Sequence, residues 1–188
     1  MDGAGNIELK ARLNDLPAAR QTARRVATKY LGFERQTDTY FQCPQGRMKL
    51  REIVEFGAAD EKSVESELQP QRSTAQLISY DRADEADAKE SHYQIVEIRD
   101  PERVRELKLQ MGIRAVVVKQ REIFLQDNVR IHLDEVSGLG TFLEFEAVLG
   151  CGKNAATGRA QVTRLQEEFG IEPEALIANS YVDLLSAK

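Results

Sequence analysis

The chain has 188 residues, of which 41% are hydrophobic and 30% are charged, and its formal net charge is −5. This length and apolar content suit one globular domain with a buried core. Because acidic and basic residues are mixed and nearly balanced, a general attraction to nucleic acid or to an acidic membrane surface is not expected. No run of about 18 apolar residues is present, so no membrane-spanning helix is expected.

The N-terminus and the cysteines indicate a cellular compartment. Residues 1–6 lack the basic start and the apolar stretch of a secretion signal. Cys43 and Cys151 lie far apart in the sequence and have no metal-ligand spacing. We interpret them as small apolar residues in a reducing environment. The sequence therefore predicts a cytoplasmic protein.

Apolar periodicity divides the chain into strands and helices. Residues 7–13 alternate strictly between apolar and polar side chains, which predicts a strand. A helix is predicted over residues 17–31, with Asp15 as its N-cap and Gly32 closing it. Seven more strands are predicted over residues 38–43, 47–53, 75–82, 91–98, 116–126, 129–136 and 141–149.

The remaining segments are predicted as loops and helices. Polar, acid-rich residues 56–74 are interpreted as a mobile loop, and residues 83–90 as a charged loop. A second helix begins after Asp100 and runs over residues 101–111. Two amphipathic helices are predicted at the C-terminus, over residues 155–169 and 173–187.

Eight strands in hairpin order with few helices predict the fold class. We expect an α+β, mainly β protein: an eight-stranded antiparallel closed β-barrel with helices packed outside and a C-terminal helical pair. Residues 1–188 are predicted to form one domain. Residues 1–150 form the barrel, and the helices of residues 151–188 cover it.

One face of several strands carries charged residues at every second position. The signs are segregated by strand, with basic residues dominating the third and sixth strands and carboxylates gathering on the first, seventh and eighth. The charged positions are Glu8, Lys10, Arg12, Arg47, Lys49, Arg51, Arg82, Lys119, Arg121, Arg130, Asp134, Glu144 and Glu146.

This charged face has two possible placements. A solvated outer face around an apolar core is the common arrangement in antiparallel sheets. Here, however, the apolar stripes of the predicted helices need a sheet face to cover, and the apolar strand faces supply it. We therefore predict that the charged faces point into the barrel.

Buried charges of both signs must be neutralised, and this requirement predicts a ligand. Several guanidinium and ammonium groups in one interior match a triphosphate, whose oxygens arginine binds in pairs. The carboxylates match Mg²⁺ or Mn²⁺, which prefer oxygen ligands. Residues 137–140 form a turn that joins the last two strands, which brings Asp134 beside Glu144.

Several motifs carry a family resemblance, in the family's order along nearly the whole chain. They are residues 7–12 (IELKAR), 36–41 (QTDTYF), 46–52 (GRMKLRE), 119–121 (KQR), 133–140 (LDEVSGLG), 142–146 (FLEFE) and 180–185 (SYVDLL). Together they resemble the CYTH, or triphosphate tunnel metalloenzyme, superfamily, and they are most similar to its class IV adenylate cyclase-like branch.

The resemblance implies a metal-dependent tunnel and roles for individual residues. Glu8 and Lys10 are the predicted catalytic residues: Lys10 would contact or activate the reacting phosphate, and a structural ion pair of Lys10 with the neighbours of Glu8 is the alternative. Asn6 stands where the family usually has a glutamate, so it offers a carbonyl oxygen without charge. The implied metal ligands are Glu8, Asp134, Glu144 and Glu146. The implied triphosphate-binding residues are Lys10, Arg12, Lys49, Arg51, Arg82, Lys119, Arg121 and Arg130.

Two reactions and two non-enzymatic functions follow as alternatives. The first is class IV-like cyclisation of ATP to cyclic AMP and pyrophosphate. The second is hydrolysis of a nucleoside triphosphate, thiamine triphosphate or inorganic tripolyphosphate. Asn6 keeps a non-catalytic polyphosphate or nucleotide binder open, whereas the charged alternation disfavours a lipocalin-like carrier. The expected partner is a small-molecule triphosphate rather than nucleic acid or membrane, and the expected state is a monomer or homodimer.

Overall fold

A computed structural model of the chain describes residues 4–56, 69–81, 89–149 and 154–187. The strands are β1 (Ala4–Arg12), β2 (Lys29–Phe41), β3 (Arg47–Phe56), β4 (Arg72–Asp81), β5 (Lys89–Ile98), β6 (Ile113–Gln126), β7 (Val129–Val136) and β8 (Gly140–Val148). The helices are α1 (Leu16–Val26), α2 (Pro101–Gln110), α3 (Ala155–Glu168) and α4 (Tyr181–Ser186).

The eight strands form one antiparallel sheet. Their hydrogen-bonded order is β1-β5-β4-β3-β2-β6-β7-β8. β1, the first strand of this order, pairs with its neighbour β5 through Ala4–Glu8. It also pairs with β8, the last strand of the order, through Asn6–Arg12. The prediction of an α+β, mainly β protein with eight antiparallel strands and helices outside them is confirmed.

The main hydrophobic core lies between the outer face of the sheet and two helices. Every second residue of β1, including Ile7 and Leu9, points to this side and is buried with residues of β7 and β8. Val162 and Leu165 of α3 pack against them. Gly158 lets α3 approach closely, because a Cβ there would lie 2.9 Å from the Ile7 side chain. Burial of apolar strand faces under helices leaves the opposite faces to the interior.

Of two smaller clusters, one lies on the outer surface of the sheet and the other borders the cavity. Phe41 and Leu50 pack beneath Leu107 of α2. Phe142 is buried against Tyr181 of α4, with the two ring centroids 4.9 Å apart. The C-terminal helix therefore packs at one end of the sheet, where its Tyr181 also meets charged residues.

The first helix is shorter than predicted, and β2 is longer. The apolar stripe that suggested a helix over residues 17–31 includes Tyr30, which instead lies in β2 and packs on Phe124 of β6 at a centroid distance of 4.9 Å. Gly32 does not close a helix; it lies beside an irregularity in the β2–β6 register, with φ 123°. Tertiary pairing with the 14-residue β6 overrides the local pattern.

The helix predicted over residues 173–187 is also divided. A 3-10 turn spans Pro173–Ala175, and the chain is extended until α4 begins at Tyr181. The extended part is held by β1, because the Ile177 N–H donates to the Lys10 carbonyl at 2.9 Å. Ser180 and Asp183 then form a capping box that starts the new helix.

The predicted loops are only partly described. Phe56 belongs to β3 and residues 72–74 belong to β4, so the strands extend into the predicted 56–74 loop. Residues 57–68 of that loop and residues 83–88 of the second, predicted over 83–90, lie outside the described residues. Among the helices that are described, none has the length and apolarity to cross a bilayer.

Candidate functional site

A cavity of about 530 Å³ lies within the sheet, a size typical of small-molecule sites. The inward-facing residues of the strands line it, as the alternation predicted. The charged members of this lining are Glu8, Lys10, Glu34, Asp38, Lys49, Arg51, Glu55, Arg72, Glu97, Lys119, Arg121, Arg130, Glu144 and Glu146. The predicted inward orientation of the charged faces is therefore confirmed.

Two of the predicted site residues that the structure describes, Arg12 and Asp134, do not line the cavity. Arg12, the last residue of β1, is exposed beyond the cavity; its Nη1 donates to the Leu139 carbonyl at 3.1 Å, and its guanidinium lies 4.9 Å from the Phe142 ring centroid. Asp134 is fully buried beside residues that line the cavity, as described below. Arg82 lies outside the described residues.

Four cations on β3 and β6 form what we call the basic wall: Lys49, Arg51, Lys119 and Arg121. Asp38 is its first counter-ion. It accepts from Lys49 Nζ at 2.9 Å, and from Arg51 Nε and Nη2 at 2.7 Å each. Asp38 is 2% exposed, so this network is buried. The residue orients the two cations, because both of its oxygens accept from them.

Asp134 is the second counter-ion of the basic wall. It accepts from Arg121 Nε and Nη2 at 2.6 Å each, and from the Tyr181 hydroxyl at 2.7 Å. Lys119 Nζ lies 3.8 Å away. Asp134 has no exposed surface. Its oxygens are already engaged by Arg121 and the Tyr181 hydroxyl, and its role as a metal ligand stays a prediction.

Burial and mutual repulsion weaken the protonation of the two wall lysines. Burial, together with the charge on Arg121, lowers the pKa of Lys119 to about 7. Burial and the charge on Arg51 lower the pKa of Lys49 to about 8. The pKa of Asp38 is held well below its usual value, since the charges of Arg51 and Lys49 outweigh its burial. The wall is therefore short of negative charge.

Three glutamates on β1 and β8 form what we call the acidic wall: Glu8, Glu144 and Glu146. Glu8 lies directly opposite Glu146 in the β1–β8 register, and Lys10 lies opposite Glu144. Lys10 Nζ is 3.7 Å from Glu8 and 3.6 Å from Glu144. Like charges at facing positions repel, so the Glu8–Glu146 pair favours a bound cation.

Asn6 completes the acidic wall with a neutral oxygen donor. Its Nδ2 donates to Glu146 Oε1 at 2.6 Å, while its buried Oδ1 has no hydrogen-bond partner. Three carboxylates beside an unpaired amide oxygen are the donor set of a hard divalent cation. As the side chains stand, no three His, Cys, Asp or Glu residues of the described ranges already converge as a metal cluster. The residues fit an ion that would draw them together.

His132 of β7 lies between two of the glutamates. Its Nδ1 is 3.7 Å from Glu144 Oε1 and its Nε2 is 4.0 Å from Glu146 Oε2. Burial and the charge on Arg121 lower the pKa of this imidazole. His132 is therefore a neutral side chain at neutral pH, and it adds no cation to the acidic wall.

Sequence reasoning missed the contribution of Tyr181 from α4. Its ring lies 4.5 Å from Lys10 Nζ and 5.2 Å from Lys119 Nζ, and its hydroxyl binds Asp134. Tyr181 therefore contacts Lys10, which lies beside the acidic wall, and Lys119, which belongs to the basic wall. Residues 180–185 were among the motifs that carry the family resemblance, but no role was predicted for Tyr181, because long-range packing brings α4 to the cavity. Gln36 was also missed, although it shares the inward parity of Asp38.

The geometry defines a class: an antiparallel β protein whose internal cavity opposes clustered cations to clustered carboxylates. The model of the CYTH domain matches residues 4–181. The chain belongs to the CYTH domain family, and the resemblance seen in its motifs is confirmed.

Individual relatives agree with this membership. A Methanocaldococcus jannaschii protein, named provisionally as an adenylate cyclase, is 28% identical over 91 residues, which are 47% of this chain and 52% of that protein. The match thus spans about half of that relative.

Solved structures share the fold. A Pyrococcus horikoshii protein has a TM-score of 0.73 at 23% identity, covering 95% of this chain and 98% of its own. A Vibrio parahaemolyticus protein named provisionally as an adenylate cyclase has a TM-score of 0.71 at 20% identity, covering 98% and 99%. A Hippeastrum protein, provisionally an adenylyl cyclase and described as having a dominant triphosphatase activity, has a TM-score of 0.61 at 15% identity, covering 98% and 95%.

Proposed function

We propose that this chain is a metal-dependent enzyme that acts on a triphosphate held in its cavity, which works as a closed tunnel. The observation that carries the proposal is the division of one cavity into a basic wall and an acidic wall. Neither wall is neutral by itself, and a polyphosphate with its divalent cation neutralises both.

The basic wall supplies the phosphate-binding groups. Its four cations are held by two buried carboxylates, Asp38 and Asp134, and Arg121 also reaches Glu144 of the acidic wall. The built-in carboxylates do not match all four cations, so cationic groups are available to an anionic ligand. Arg51 and Arg121 are held rigidly by paired hydrogen bonds to those carboxylates. Guanidinium groups fixed in this way bind phosphate oxygens without further loss of side-chain entropy. Arg130 extends the cationic lining beside Glu146.

The acidic wall supplies the metal ligands. Glu8, Glu144 and Glu146 would hold Mg²⁺ or Mn²⁺, with the Asn6 carbonyl oxygen as a neutral donor. The bound ion would polarise the attacked phosphorus and stabilise the leaving oxygen. Asp134 is assigned to holding Arg121 rather than to the metal, and Arg12 is left out of the binding set because it lies beyond the cavity.

Lys10 is the cation that links the two walls. It reaches Glu8 and Glu144 on one side and lies over the Tyr181 ring on the other. This position suits a group that contacts the reacting phosphate, so Lys10 and Glu8 are the proposed catalytic pair. Lys10 neutralises charge that develops on the phosphoryl oxygens, while Glu8 keeps the ammonium oriented.

Cyclisation of ATP is the first reaction we propose. The ribose 3′-hydroxyl attacks the α-phosphorus, pyrophosphate leaves, and cyclic AMP forms. The name of the Methanocaldococcus jannaschii relative supports this reaction. Hydrolysis of a nucleoside triphosphate, thiamine triphosphate or tripolyphosphate is the second candidate, supported by the dominant triphosphatase activity ascribed to the Hippeastrum protein.

Product analysis tests the proposal. The purified protein is incubated with ATP, tripolyphosphate or thiamine triphosphate and with Mg²⁺ or Mn²⁺, and the products are separated by ion-exchange chromatography. Cyclic AMP with an equal amount of pyrophosphate supports the cyclase. Orthophosphate supports the triphosphatase. Tight binding without turnover under either metal would contradict both reactions and identify a polyphosphate binder.

A further inference from the structure

Gln36 on β2 has a buried hydrogen-bond acceptor with no partner. The residue is 3% exposed and lines the cavity. Its Nε2 donates to the carboxylate of Glu34, which leaves Oε1 without a hydrogen bond in the described structure. A buried acceptor that stays unpaired costs about 1–3 kcal/mol, so this oxygen calls for a donor from a ligand or from water.

The neighbours of Gln36 describe the environment of that oxygen. Gln36 is the cross-strand partner of Lys119 on one side and of Ile53 on the other. Ile53 in turn is the partner of Thr74 on β4, and both line the cavity. Across the neighbouring strands, Gln36 therefore lies between Lys119, a cation of the basic wall, and the apolar side chain of Ile53, which is followed by the hydroxyl of Thr74.

This environment excludes two kinds of occupant for the acceptor. Phosphate oxygens are themselves acceptors at neutral pH, so they do not pair with the amide oxygen of Gln36. A metal ion is disfavoured at this oxygen, because Lys119 lies directly opposite and the facing carboxylates Glu34 and Glu55 offer a cation better ligands than a neutral amide. The remaining donors are water and an N–H or O–H group of the ligand. Of these two, the ligand group also brings a surface that contacts the apolar side chain of Ile53.

We propose that Gln36, together with Ile53, determines specificity by binding the nucleoside of a nucleoside triphosphate. Gln36 Oε1 accepts a hydrogen bond from a ribose hydroxyl or a base amine, and Ile53 contacts the sugar or base. Inorganic tripolyphosphate has no such donor and no apolar part, so this contact selects against it. The inference rests on the proposed function and names the substrate class of the same cavity.

Binding measured without metal tests this specificity, because turnover is then suppressed. Isothermal titration calorimetry in EDTA gives the dissociation constants of ATP and of tripolyphosphate for the wild type, Gln36→Met and Gln76→Met. We expect Gln36→Met to weaken ATP binding about tenfold and to leave tripolyphosphate binding within about twofold. Gln76 on β4 also lines the cavity, so Gln76→Met is the matched control. In this variant we expect the ratio of the dissociation constants of ATP and tripolyphosphate to stay at the wild-type value.

Nucleotide analogues identify the group that donates the hydrogen bond to Gln36. Because they are tested on the wild-type protein, this experiment does not depend on whether a variant folds. Weaker binding of inosine triphosphate than of ATP assigns the contact to the base amine. Weaker binding of 2′-deoxy-ATP or 3′-deoxy-ATP assigns it to a ribose hydroxyl. Equal binding of all four nucleotides, or equal effects of Gln36→Met on ATP and tripolyphosphate, overturns the specificity while the proposed function stands. Failure of both anions to bind, in EDTA and again with Mg²⁺ present, overturns the proposed function as well.

Discussion

The basic wall and the acidic wall of the cavity solve the problem of buried charge in opposite ways. In the basic wall, Asp38 and Asp134 are built into the protein and hold the arginines through short paired hydrogen bonds. In the acidic wall, the like-charged Glu8 and Glu146 face each other, and Lys10 Nζ lies 3.7 Å from Glu8.

The two walls therefore differ in when their charged groups are neutralised: those of the basic wall by the fold itself, and those of the acidic wall in part by a bound ion. The phosphate-binding arginines are positioned before any ligand arrives, because their counter-ions are part of the fold. The carboxylates of the acidic wall are only partly neutralised, by Lys10, Arg121 and Arg130, and we propose that an ion that enters completes their neutralisation. We therefore expect loss of a basic-wall counter-ion to cost folding stability, and loss of an acidic-wall carboxylate to cost metal-dependent turnover.

The largest effect is expected for the counter-ion Asp38. Asp38→Asn removes the charge that neutralises Lys49 and Arg51, so we expect the free energy of unfolding to fall by about 3–5 kcal/mol. Denaturant unfolding followed by circular dichroism measures the change. Glu52→Gln is the matched control, because its half-exposed pair with Lys108 is worth less than about 1 kcal/mol. Equal losses in the two variants would contradict a special role for the buried network.

Glu146 gives the complementary test in the acidic wall. We expect Glu146→Gln to lower metal-dependent turnover about 100-fold or more, since a proposed metal ligand loses its charge. Tripolyphosphate binding in EDTA is expected to stay the same or to become tighter, because a repelling carboxylate is gone. Turnover assays and calorimetry measure the two quantities. If turnover persists while anion binding weakens, the assignment of the acidic wall to metal is wrong.

Tyr181 joins the two walls and is expected to have an intermediate effect. Tyr181→Phe keeps the ring near Lys10 and Lys119 but removes the hydroxyl that donates to Asp134. We expect a loss of about 1–2 kcal/mol in unfolding free energy and a smaller loss of activity than for Tyr181→Ala. Tyr30→Phe on the outer face is the control. Equal activity of the Phe and Ala variants would show that the ring does not position the lysines.

The smallest effect is a dependence of anion binding on pH. Lys119 has a pKa of about 7 and Lys49 of about 8 in the empty cavity, so both are partly neutral at pH 7.5. A bound triphosphate raises both pKa values, and binding must therefore take up protons, about one in total at this pH. Affinity is then expected to fall as the pH rises through 7 and 8.

Calorimetry in buffers of different ionisation enthalpy measures this proton uptake directly. Lys119→Met should lower the uptake at pH 7.5, because Lys119 is the more neutral of the two lysines. Uptake should also vanish toward pH 6, where both lysines are already charged. Release of protons at pH 7.5, or uptake that does not depend on Lys119, would contradict the lowered pKa values.

The sequence predicted the strands well where alternation was strong and failed where tertiary pairing decided. β7 was predicted at its observed bounds, because residues 129–134 alternate cleanly and turns bound the strand on both sides. The first helix was extended too far, since the pairing of β2 with β6 that claims Tyr30 is not visible locally. The C-terminal helix was not divided in the prediction, although Ser180 and Asp183 carry a capping signal.

The candidate site was predictable to the extent that parity decides which residues face inward. The alternation of side chains along each strand correctly predicted that Lys49 and Glu144 line the cavity. It also predicted Arg12 and Asp134 as lining residues, and these two do not line the cavity although they share the alternation. Parity gives the direction of a side chain, whereas depth along the sheet depends on shear and on covering elements. The contact of Tyr181 with the walls belongs to this second kind of information.

A crystal structure with Mn²⁺ and a non-hydrolysable ATP analogue tests the opposition of the two walls most directly. Anomalous scattering locates the metal independently of the nucleotide. We expect a manganese peak against Glu8, Glu144 and Glu146, with the triphosphate oxygens on Lys49, Arg51, Lys119 and Arg121. Manganese among the cations of the basic wall, or a triphosphate bound outside the cavity, would contradict this opposition.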